Sequence, residues 1–197
     1  MDDLDKLRRQ ARKCQDCPLW ANATQTVFGA GDPHARVMLV GEQPGDEEDK
    51  KGLPYVGPAG RLLDRALEAA GVERGHLYVT NAVKHFKWQP RGKRRLHKTP
   101  AQREIDACHQ WLEREVQTVK PHVIVALGAT AAKAVIGPHF KVSVQRGQFV
   151  DSALAPHVFA TFHPSALLRL REEEEKEAAF KQLVGDLKLI QKALSGP

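Results

Sequence analysis

Short apolar runs alternate with longer amphipathic segments along most of this chain, and this alternation limits the possible folds more than any other feature. Short apolar runs bounded by turn residues are typical of buried strands, and apolar residues that recur every three or four positions are typical of helices. The strand-like runs are 37–40, 77–82, 123–127 and 158–161, and the helical segments are 61–70, 101–118, 130–136 and 177–193. Such alternation favours a parallel sheet covered by helices on both faces. We therefore predict an α/β/α sandwich around a central, mainly parallel, four-stranded sheet.

The length of the chain fits one such domain. It has 197 residues and no apolar run long enough for a membrane span or a secretory signal, so we expect one soluble domain over residues 1–197 that acts in the cytoplasm. The stretch 86–100 departs from the alternating pattern because it is polar and basic and contains two prolines and a glycine. We predict a long loop there, and long loops inside compact domains are usually functional.

Positive charge is concentrated in one part of the chain. The net charge is +6, from 30 Lys and Arg against 24 Asp and Glu, which indicates a polyanionic partner without establishing one. Residues 82–103 contain no acidic side chain, whereas 46–49 and 172–175 are acidic runs. The pattern predicts one basic lobe rather than a uniformly basic surface.

A polar or glycine-containing segment follows each predicted strand. These segments are Gly41-Glu42-Gln43, residues 81–85, residues 127–130 and His163-Pro164-Ser165. The carboxyl ends of parallel strands lie along one edge of a sheet, so we expect the four segments to share one crevice. Glu42 and Gln43 are candidate catalytic and recognition groups there. Taken alone, the first segment is explained equally well by an ordinary turn with a solvated glutamate.

Three cysteines, in a chain without a secretory signal, fit metal ligation better than a disulfide framework. The spacing of Cys14 and Cys17 suits zinc or an iron-sulfur cluster, and Cys108 lies in a predicted helix. His85, just past a strand end, is the strongest candidate for a fourth ligand because imidazole can replace thiolate on cluster iron. The alternative is that Cys108 is a buried apolar residue and the cysteine pair is incidental.

Together these residues resemble the iron-sulfur uracil-DNA glycosylases, and most closely the UdgX group of covalent uracil-DNA-binding proteins. The resemblance runs from Cys14 to the final helix. Its most specific parts are Gly41-Glu42-Gln43-Pro44-Gly45, Gly92-Lys93-Arg94-Arg95-Leu96-His97 and His163-Pro164-Ser165. The turnover enzymes of this superfamily lack the basic stretch and usually carry cysteine at the position of His85. Both departures favour the UdgX group.

The resemblance implies a cofactor, a fold and a partner. The cofactor is a [4Fe-4S] cluster bound by Cys14, Cys17, His85 and Cys108, in a uracil-DNA glycosylase-like domain whose N-terminal segment carries the cysteine pair. The partner is uracil-containing DNA, in single-stranded form, bound by a monomer without any membrane.

The resemblance also implies a uracil pocket at the crevice. Enzymes of this kind extrude the nucleotide, stack on its base and hydrogen-bond the base edge. Tyr55 would stack on uracil, while Asn81 and the Gln43 backbone would read its polar edge. His163 would donate to uracil O2 and stabilise the departing anion. The simpler alternatives are a core aromatic at Tyr55 and a helix-capping role for His163.

By the same resemblance, His97 attacks C1′ of the sugar, with Glu42 orienting the imidazole or accepting its proton. The product would be a stable covalent adduct formed once per protein molecule. Two other readings remain open. In one, Glu42 activates water for multiple turnovers and His97 merely contacts phosphate. In the other, the chain is a non-enzymatic iron-sulfur or zinc sensor that binds nucleic acid or nucleotide.

The basic stretch needs anions if it is to stay near the crevice, because like charges repel. We expect Asp46 or Asp49 to pair with Arg94 or Arg95 and to fix the loop with His97 facing the pocket. The alternative is a solvated run of charge. The residues expected to contact DNA are Lys93, Arg94, Lys98 and Ser165.

Overall fold

A computed structural model describes residues 3–195 of the chain. The elements, in chain order, are α1 (Asp3–Ala11), β1 (Ala30–Gly31), β2 (Val37–Gly41), α2 (Asp46–Lys51), α3 (Pro58–Ala69), β3 (Leu77–Asn81), β4 (Trp88–Arg91), β5 (Arg94–His97), α4 (Gln102–Val119), β6 (Val123–Leu127), α5 (Ala129–Val135), α6 (Val142–Gln145), β7 (His157–Thr161), α7 (Pro164–Leu168), α8 (Glu173–Leu187) and α9 (Leu189–Ser195). Short 3₁₀ turns lie at Pro18–Ala21 and Arg74–His76.

The central sheet has the strand order β1-β3-β2-β6-β7. Strands β3, β2, β6 and β7 run parallel, and β1 pairs antiparallel with β3 at the edge. The predicted α/β/α sandwich with a mainly parallel sheet is confirmed, but the prediction of four strands is one short. The additional strand, Ala30–Gly31, has only two residues, too few to carry a hydrophobic pattern.

Apolar clusters cover both faces of the sheet, as a parallel sheet requires. Along β2, Met38 and Val40 pack on the face covered by α1, α4 and α5, while Val37 and Leu39 pack on the opposite face against α3, α8 and α9. Successive side chains of a strand point to opposite faces, so a continuous apolar run fills both clusters. The strand ends are therefore fixed in position relative to one another.

The predicted loop at 86–100 is wrong in part, since it contains the antiparallel hairpin of β4 and β5. The hairpin turns at Gly92, whose φ of 58° is open to glycine without strain. Most of its side chains are exposed, so it has no apolar alternation that would reveal a strand. The predicted helix at 177–193 is also two helices, with the break at Lys188. Within residues 3–195, no helix is both long and apolar enough to cross a membrane.

Candidate active site

A pocket of about 420 Å³ opens at the carboxyl edge of the sheet. All four segments that follow the parallel strands contribute to its wall, together with the loop before α3 and the end of β5. The sequence-predicted residues that line it are Glu42, Gln43, Tyr55, Asn81, His97, His163 and Ser165. The structure thus brings the candidate catalytic and uracil-binding residues to one place.

Glu42 is held through both carboxylate oxygens. His97 Nε2, at the end of β5, lies 3.0 Å from Glu42 Oε1, and the Thr130 hydroxyl donates to Glu42 Oε2. Burial alone would raise the pKa of Glu42, but the hydrogen bonds from His97 and Thr130 hold this pKa below its ordinary value. Glu42 is therefore an anion in contact with an imidazole at neutral pH.

His163 caps α7 and has a defined tautomer. The Ser165 backbone N–H donates to His163 Nδ1 at 3.1 Å, and the Ser165 hydroxyl lies 2.7 Å from the same nitrogen. Arg169 Nη2 in turn donates to the Ser165 hydroxyl at 3.0 Å. A nitrogen that accepts a backbone N–H carries no proton, so the neutral ring is protonated on Nε2, which faces the pocket.

Burial lowers the pKa of His163 to about 4, and the neighbouring His97 and Arg169 add to this effect while Glu42 opposes it. His163 is thus a neutral hydrogen-bond donor at physiological pH. The pocket pairs this neutral donor with an anionic acceptor, Glu42. Two titratable groups with such different environments are typical of a catalytic site.

Tyr55 and Asn81 meet above Gly41. The Tyr55 hydroxyl lies 3.3 Å from His163 Nε2, and Asn81 is the register partner of Gly41 on the adjacent strand. A side chain at Gly41 would overlap the Tyr55 hydroxyl and the Asn81 amide oxygen. Tyr55 has a left-handed φ of 56°, which is unfavourable for an aromatic residue. Glu48 stabilises its loop by accepting hydrogen bonds from the backbone N–H groups of Gly45 and Gly57.

The Gln43 side chain is used to hold the hairpin. Its Oε1 accepts the backbone N–H of Lys87 at 2.8 Å, and its Nε2 donates to the Lys98 carbonyl at 2.9 Å. Lys87 and Lys98 flank the two hairpin strands and pair with each other. The amide therefore joins the base of the hairpin to the end of β2, and the predicted contact of the Gln43 backbone with uracil stays a prediction.

Arg95 anchors the hairpin to α2. Its Nε lies 2.5 Å from Asp46 Oδ1 and its Nη1 lies 2.6 Å from Asp49 Oδ2. The guanidinium also lies 5.4 Å from the ring centres of Phe86 and Trp88. Burial disfavours the charged form, but the hydrogen bonds that Arg95 donates to Asp49 and Asp46 hold the pKa of Arg95 above its ordinary value. The structure places Arg95, not Arg94, against the two carboxylates.

The remaining basic side chains of the hairpin face solvent. Lys93 lies in the tight turn between β4 and β5, Arg94 begins β5, and Lys98 follows β5; all three are exposed. Ser165 differs from them because its hydroxyl is engaged by His163 and Arg169. The rim next to Ser165 carries Leu168, whose exposure of 48% is high for an apolar side chain.

The proposed metal ligands come from three parts of the fold: Cys14 and Cys17 from the segment after α1, His85 from just past β3, and Cys108 from α4. Cys17, His85 and Cys108 are buried and Cys14 is half-buried. Trp111 Nε1 donates to Cys14 Sγ at 3.2 Å, and the Lys84 backbone N–H donates to Cys108 Sγ at 3.4 Å. Such N–H···S contacts are among the factors that tune cluster thiolates.

His85 has an orphaned nitrogen. The Thr26 hydroxyl lies 3.2 Å from the Ala11 carbonyl and 2.9 Å from His85 Nε2; when it donates its single proton to the carbonyl, it accepts from Nε2–H. The neutral ring then has a bare lone pair on Nδ1, and within residues 3–195 this buried atom has no hydrogen-bond partner. An unpaired buried acceptor is costly, and in metal-bound histidines the nitrogen that does not bind the metal usually donates a hydrogen bond to a neighbouring group.

The donor set, three thiols and an imidazole, is chemically compatible with an iron-sulfur cluster, since both thiolate and imidazole bind cluster iron. In the described part of the chain, no three His, Cys, Asp or Glu residues converge tightly enough to hold one metal ion. Burial raises the pKa of Cys14, and it raises that of Cys108 to about 11, so both thiols need a nearby cation to ionise.

Sequence reasoning gave no role to several residues that complete the site. These are Thr130, Glu48, Leu168 and Arg169. For Thr130 there was one signal, since it lies in the polar segment that follows the third parallel strand. In the sequence Glu48 is only one member of the acidic run 46–49. Its role in joining the backbone at Gly45 to the backbone at Gly57 depends on the fold.

Comparison with known proteins gives a consistent result. A sequence model of the Uracil DNA glycosylase superfamily matches residues 28–188. A Type-4 uracil-DNA glycosylase from Thermotoga maritima is 38% identical over 181 residues, which cover 91% of this chain and 91% of that protein. A Type-4 uracil-DNA glycosylase from Sulfurisphaera tokodaii is 36% identical over 178 residues, with coverage of 85% and 77%. A Type-5 uracil-DNA glycosylase from Pyrobaculum aerophilum is 32% identical over 165 residues, with coverage of 75% and 69%. The range matched by the superfamily model includes every residue of the pocket named above.

Proposed function

The chain belongs to the Uracil DNA glycosylase superfamily, and from this membership we propose that it recognises uracil in DNA and breaks the bond between that base and its deoxyribose. We further propose that it belongs to the UdgX group, so that His97 captures the sugar and the protein acts once. The observation that carries this second step is the position of His97, whose imidazole lies 3.0 Å from Glu42 at the pocket wall.

Recognition of uracil would use the neutral donor and the stacking surface. The extruded base would lie against Tyr55, with its polar edge toward Asn81 and the Gln43 backbone. His163 Nε2–H would donate to uracil O2. An unpaired base costs less to extrude than a paired one, which supports single-stranded DNA as the substrate. We propose that the protein binds this DNA as a monomer.

Bond breaking would separate charge in the pocket. The glycosidic electron pair leaves with uracil, and the hydrogen bond from His163 stabilises the resulting anion. The sugar becomes an oxocarbenium-like cation, which the Glu42 carboxylate stabilises. Because His163 is neutral, it donates a hydrogen bond without placing a second positive charge beside Glu42 and the sugar cation.

Capture would then join an imidazole nitrogen of His97 to C1′. The imidazole proton passes to Glu42 and uracil is protonated after it leaves, so one proton moves in net from His97 to uracil. The new bond occupies the position that an attacking water would need. The adduct should therefore persist.

The hairpin would serve both positioning and DNA binding. Arg95 and Gln43 hold it against the sheet, so that His97 faces the pocket while Lys93 and Arg94 at its tip reach phosphates. Lys98 and Ser165 would add contacts beside the pocket. Exposed Leu168 at the rim is suited to fill the space that an extruded base leaves.

We propose that Cys14, Cys17, His85 and Cys108 hold a [4Fe-4S] cluster. The cluster would covalently join the N-terminal segment to the end of β3 and to α4 as part of one domain. The orphaned Nδ1 of His85 and the two N–H···S contacts support this proposal.

A multiple-turnover glycosylase is the second candidate, and the names of the Type-4 relatives favour it. In that reaction Glu42 would activate a water that replaces His97 as nucleophile. Denaturing electrophoresis with single-stranded oligonucleotides distinguishes the two, using one uracil or one thymine at the same position. We expect a denaturant-stable complex of one protein per strand with uracil only. Free abasic product in excess of the protein would support turnover instead, and the absence of both products would contradict glycosylase activity.

A further inference from the structure

The segment that follows the third parallel strand reaches the same pocket and donates a hydrogen bond to Glu42, but no role in the reaction has been assigned to it so far. Gly128 precedes α5 with a φ of 91°, and a side chain there would overlap the Cβ of His163. Thr130 is buried in α5, and its hydroxyl contacts Glu42 Oε2. This contact joins the end of β6 to the carboxylate at the end of β2.

The direction of this hydrogen bond is fixed by chemistry. An ionised carboxylate only accepts hydrogen bonds, so the single proton of the Thr130 hydroxyl is donated to Oε2. The other oxygen, Oε1, is left to His97. Each oxygen of Glu42 thus has its own partner, and the two partners come from different elements, α5 and the hairpin.

We propose that Thr130 is a positioning residue for Glu42: its hydroxyl fixes the orientation of the carboxylate and so presents Oε1 to His97. The inference rests on the proposed function only for the reactive role of Glu42. Two contacts hold the backbone around Thr130 in place. The Ala132 N–H donates to the Gly128 carbonyl at 3.0 Å, and Gly128 packs against His163.

The proposal has a consequence for the pH dependence of the reaction. The groups that face the Glu42 carboxylate are Thr130, His97 and His163, with the Tyr55 hydroxyl within electrostatic reach. Removing the Thr130 hydroxyl takes away a hydrogen bond to the charged form of Glu42, so the pKa of Glu42 must rise. The acidic limb of the pH–rate profile would then move to higher pH.

The test uses Thr130→Val, which keeps the shape and loses the hydroxyl, and Thr130→Ser, which keeps the donor. Uracil release is followed in single turnover across pH. For Thr130→Val we expect a rate roughly 10- to 100-fold lower at neutral pH, the size typical of a hydrogen bond to a charged group, and an acidic limb at higher pH. Thr130→Ser should restore both. In a Glu42→Gln background, Thr130→Val should have little further effect.

A second readout does not depend on activity. Carbon-13 NMR titration of the Glu42 carboxyl in the free protein should give a higher pKa in Thr130→Val, and in Thr130→Ala if the valine variant does not fold. A shifted carboxyl pKa without any uracil release would leave the positioning role standing and contradict the proposed function. An unshifted carboxyl pKa, or a rate loss that serine does not restore, would overturn the positioning role.

Discussion

Replacing Arg95 with alanine should loosen the hairpin that carries His97 while leaving His97, Glu42 and His163 intact. Arg95 contacts Asp46, fully buried Asp49 and two aromatic rings. Removing one partner of a buried ion pair costs about 3–5 kcal/mol because the other charge stays buried. The Arg95 side chain is 18% exposed and Asp49 keeps the hydrogen bond from the Thr24 backbone N–H, so the loss lies at the low end of this range.

The remaining contacts of Arg95 add less. Asp46 is partly exposed, so its pair contributes about 0–1 kcal/mol, and each ring contact contributes about 0.5–1 kcal/mol. We therefore expect Arg95→Ala to lower the free energy of unfolding by about 4–6 kcal/mol. If all of this energy held the hairpin in place, the fraction of molecules with His97 positioned would fall by at most about 1,000- to 25,000-fold. Because Gln43 still holds the base of the hairpin, we expect adduct formation to slow by roughly 10- to 100-fold.

The assay is single-turnover adduct formation with saturating uracil oligonucleotide, read on a denaturing gel, with thermal unfolding in parallel. Arg94→Ala is the matched control, since Arg94 is exposed and adjacent; it should weaken DNA binding but keep the saturated rate. Arg95→Lys should restore little, because one ammonium cannot replace a planar fork that reaches both carboxylates. A saturated rate for Arg95→Ala within about twofold of the parent would refute the anchoring argument.

Three further predictions concern His163, the basic hairpin tip and the cluster. The pKa of His163 is lowered from 6.5 to about 4, so between these pH values the unfolded chain binds a proton that the folded chain does not. The difference in free energy of unfolding between the parent and His163→Gln should therefore shrink as pH falls from 6.5 to 4. A difference that stays constant in urea unfolding would contradict this. Lys93→Ala and Arg94→Ala should each reduce, by about 0.7, the steepness with which the logarithm of the DNA-binding constant falls with the logarithm of salt concentration. The finished adduct should resist salt. Dissociation of that adduct by salt would exclude a covalent bond. Protein prepared without air should contain iron and sulfide, which His85→Cys keeps and His85→Ala loses; stoichiometric zinc without sulfide would contradict the cluster.

Much of the fold was predictable because buried parallel strands are continuous apolar runs that can be recognised in the sequence. The runs at 37–40 and 123–127 are apolar on both faces, and helices separate them. The hairpin at 88–97 was not predictable in the same way. Its strands bury little surface, and what stabilises them is the pairing of Arg95 with carboxylates nearly fifty positions earlier in the sequence and the Gln43 side chain.

Residue types and strand ends were enough to nominate Glu42, His97 and His163, but not their relations. That Glu42 is shared between His97 and Thr130, or that Ser165 determines the tautomer of His163, depends on hydrogen-bond directions that only the folded chain fixes. The choice of Arg95 over Arg94 follows from strand alternation in the hairpin, since neighbouring side chains point to opposite faces. A loop at 86–100, as the sequence predicts, has no such alternation and gives no basis for choosing between the two arginines.

The central claim is that bond breaking and sugar capture are separate steps, with His97 responsible only for capture. The most direct measurement compares His97→Ala and His97→Ser with the parent protein, using one denaturing gel and one assay for free uracil. We expect both variants to lose the adduct, and we expect His97→Ser to release uracil and leave an abasic strand, because a small polar side chain admits water beside Glu42. A His97→Ala protein that still forms the denaturant-stable complex would contradict the account.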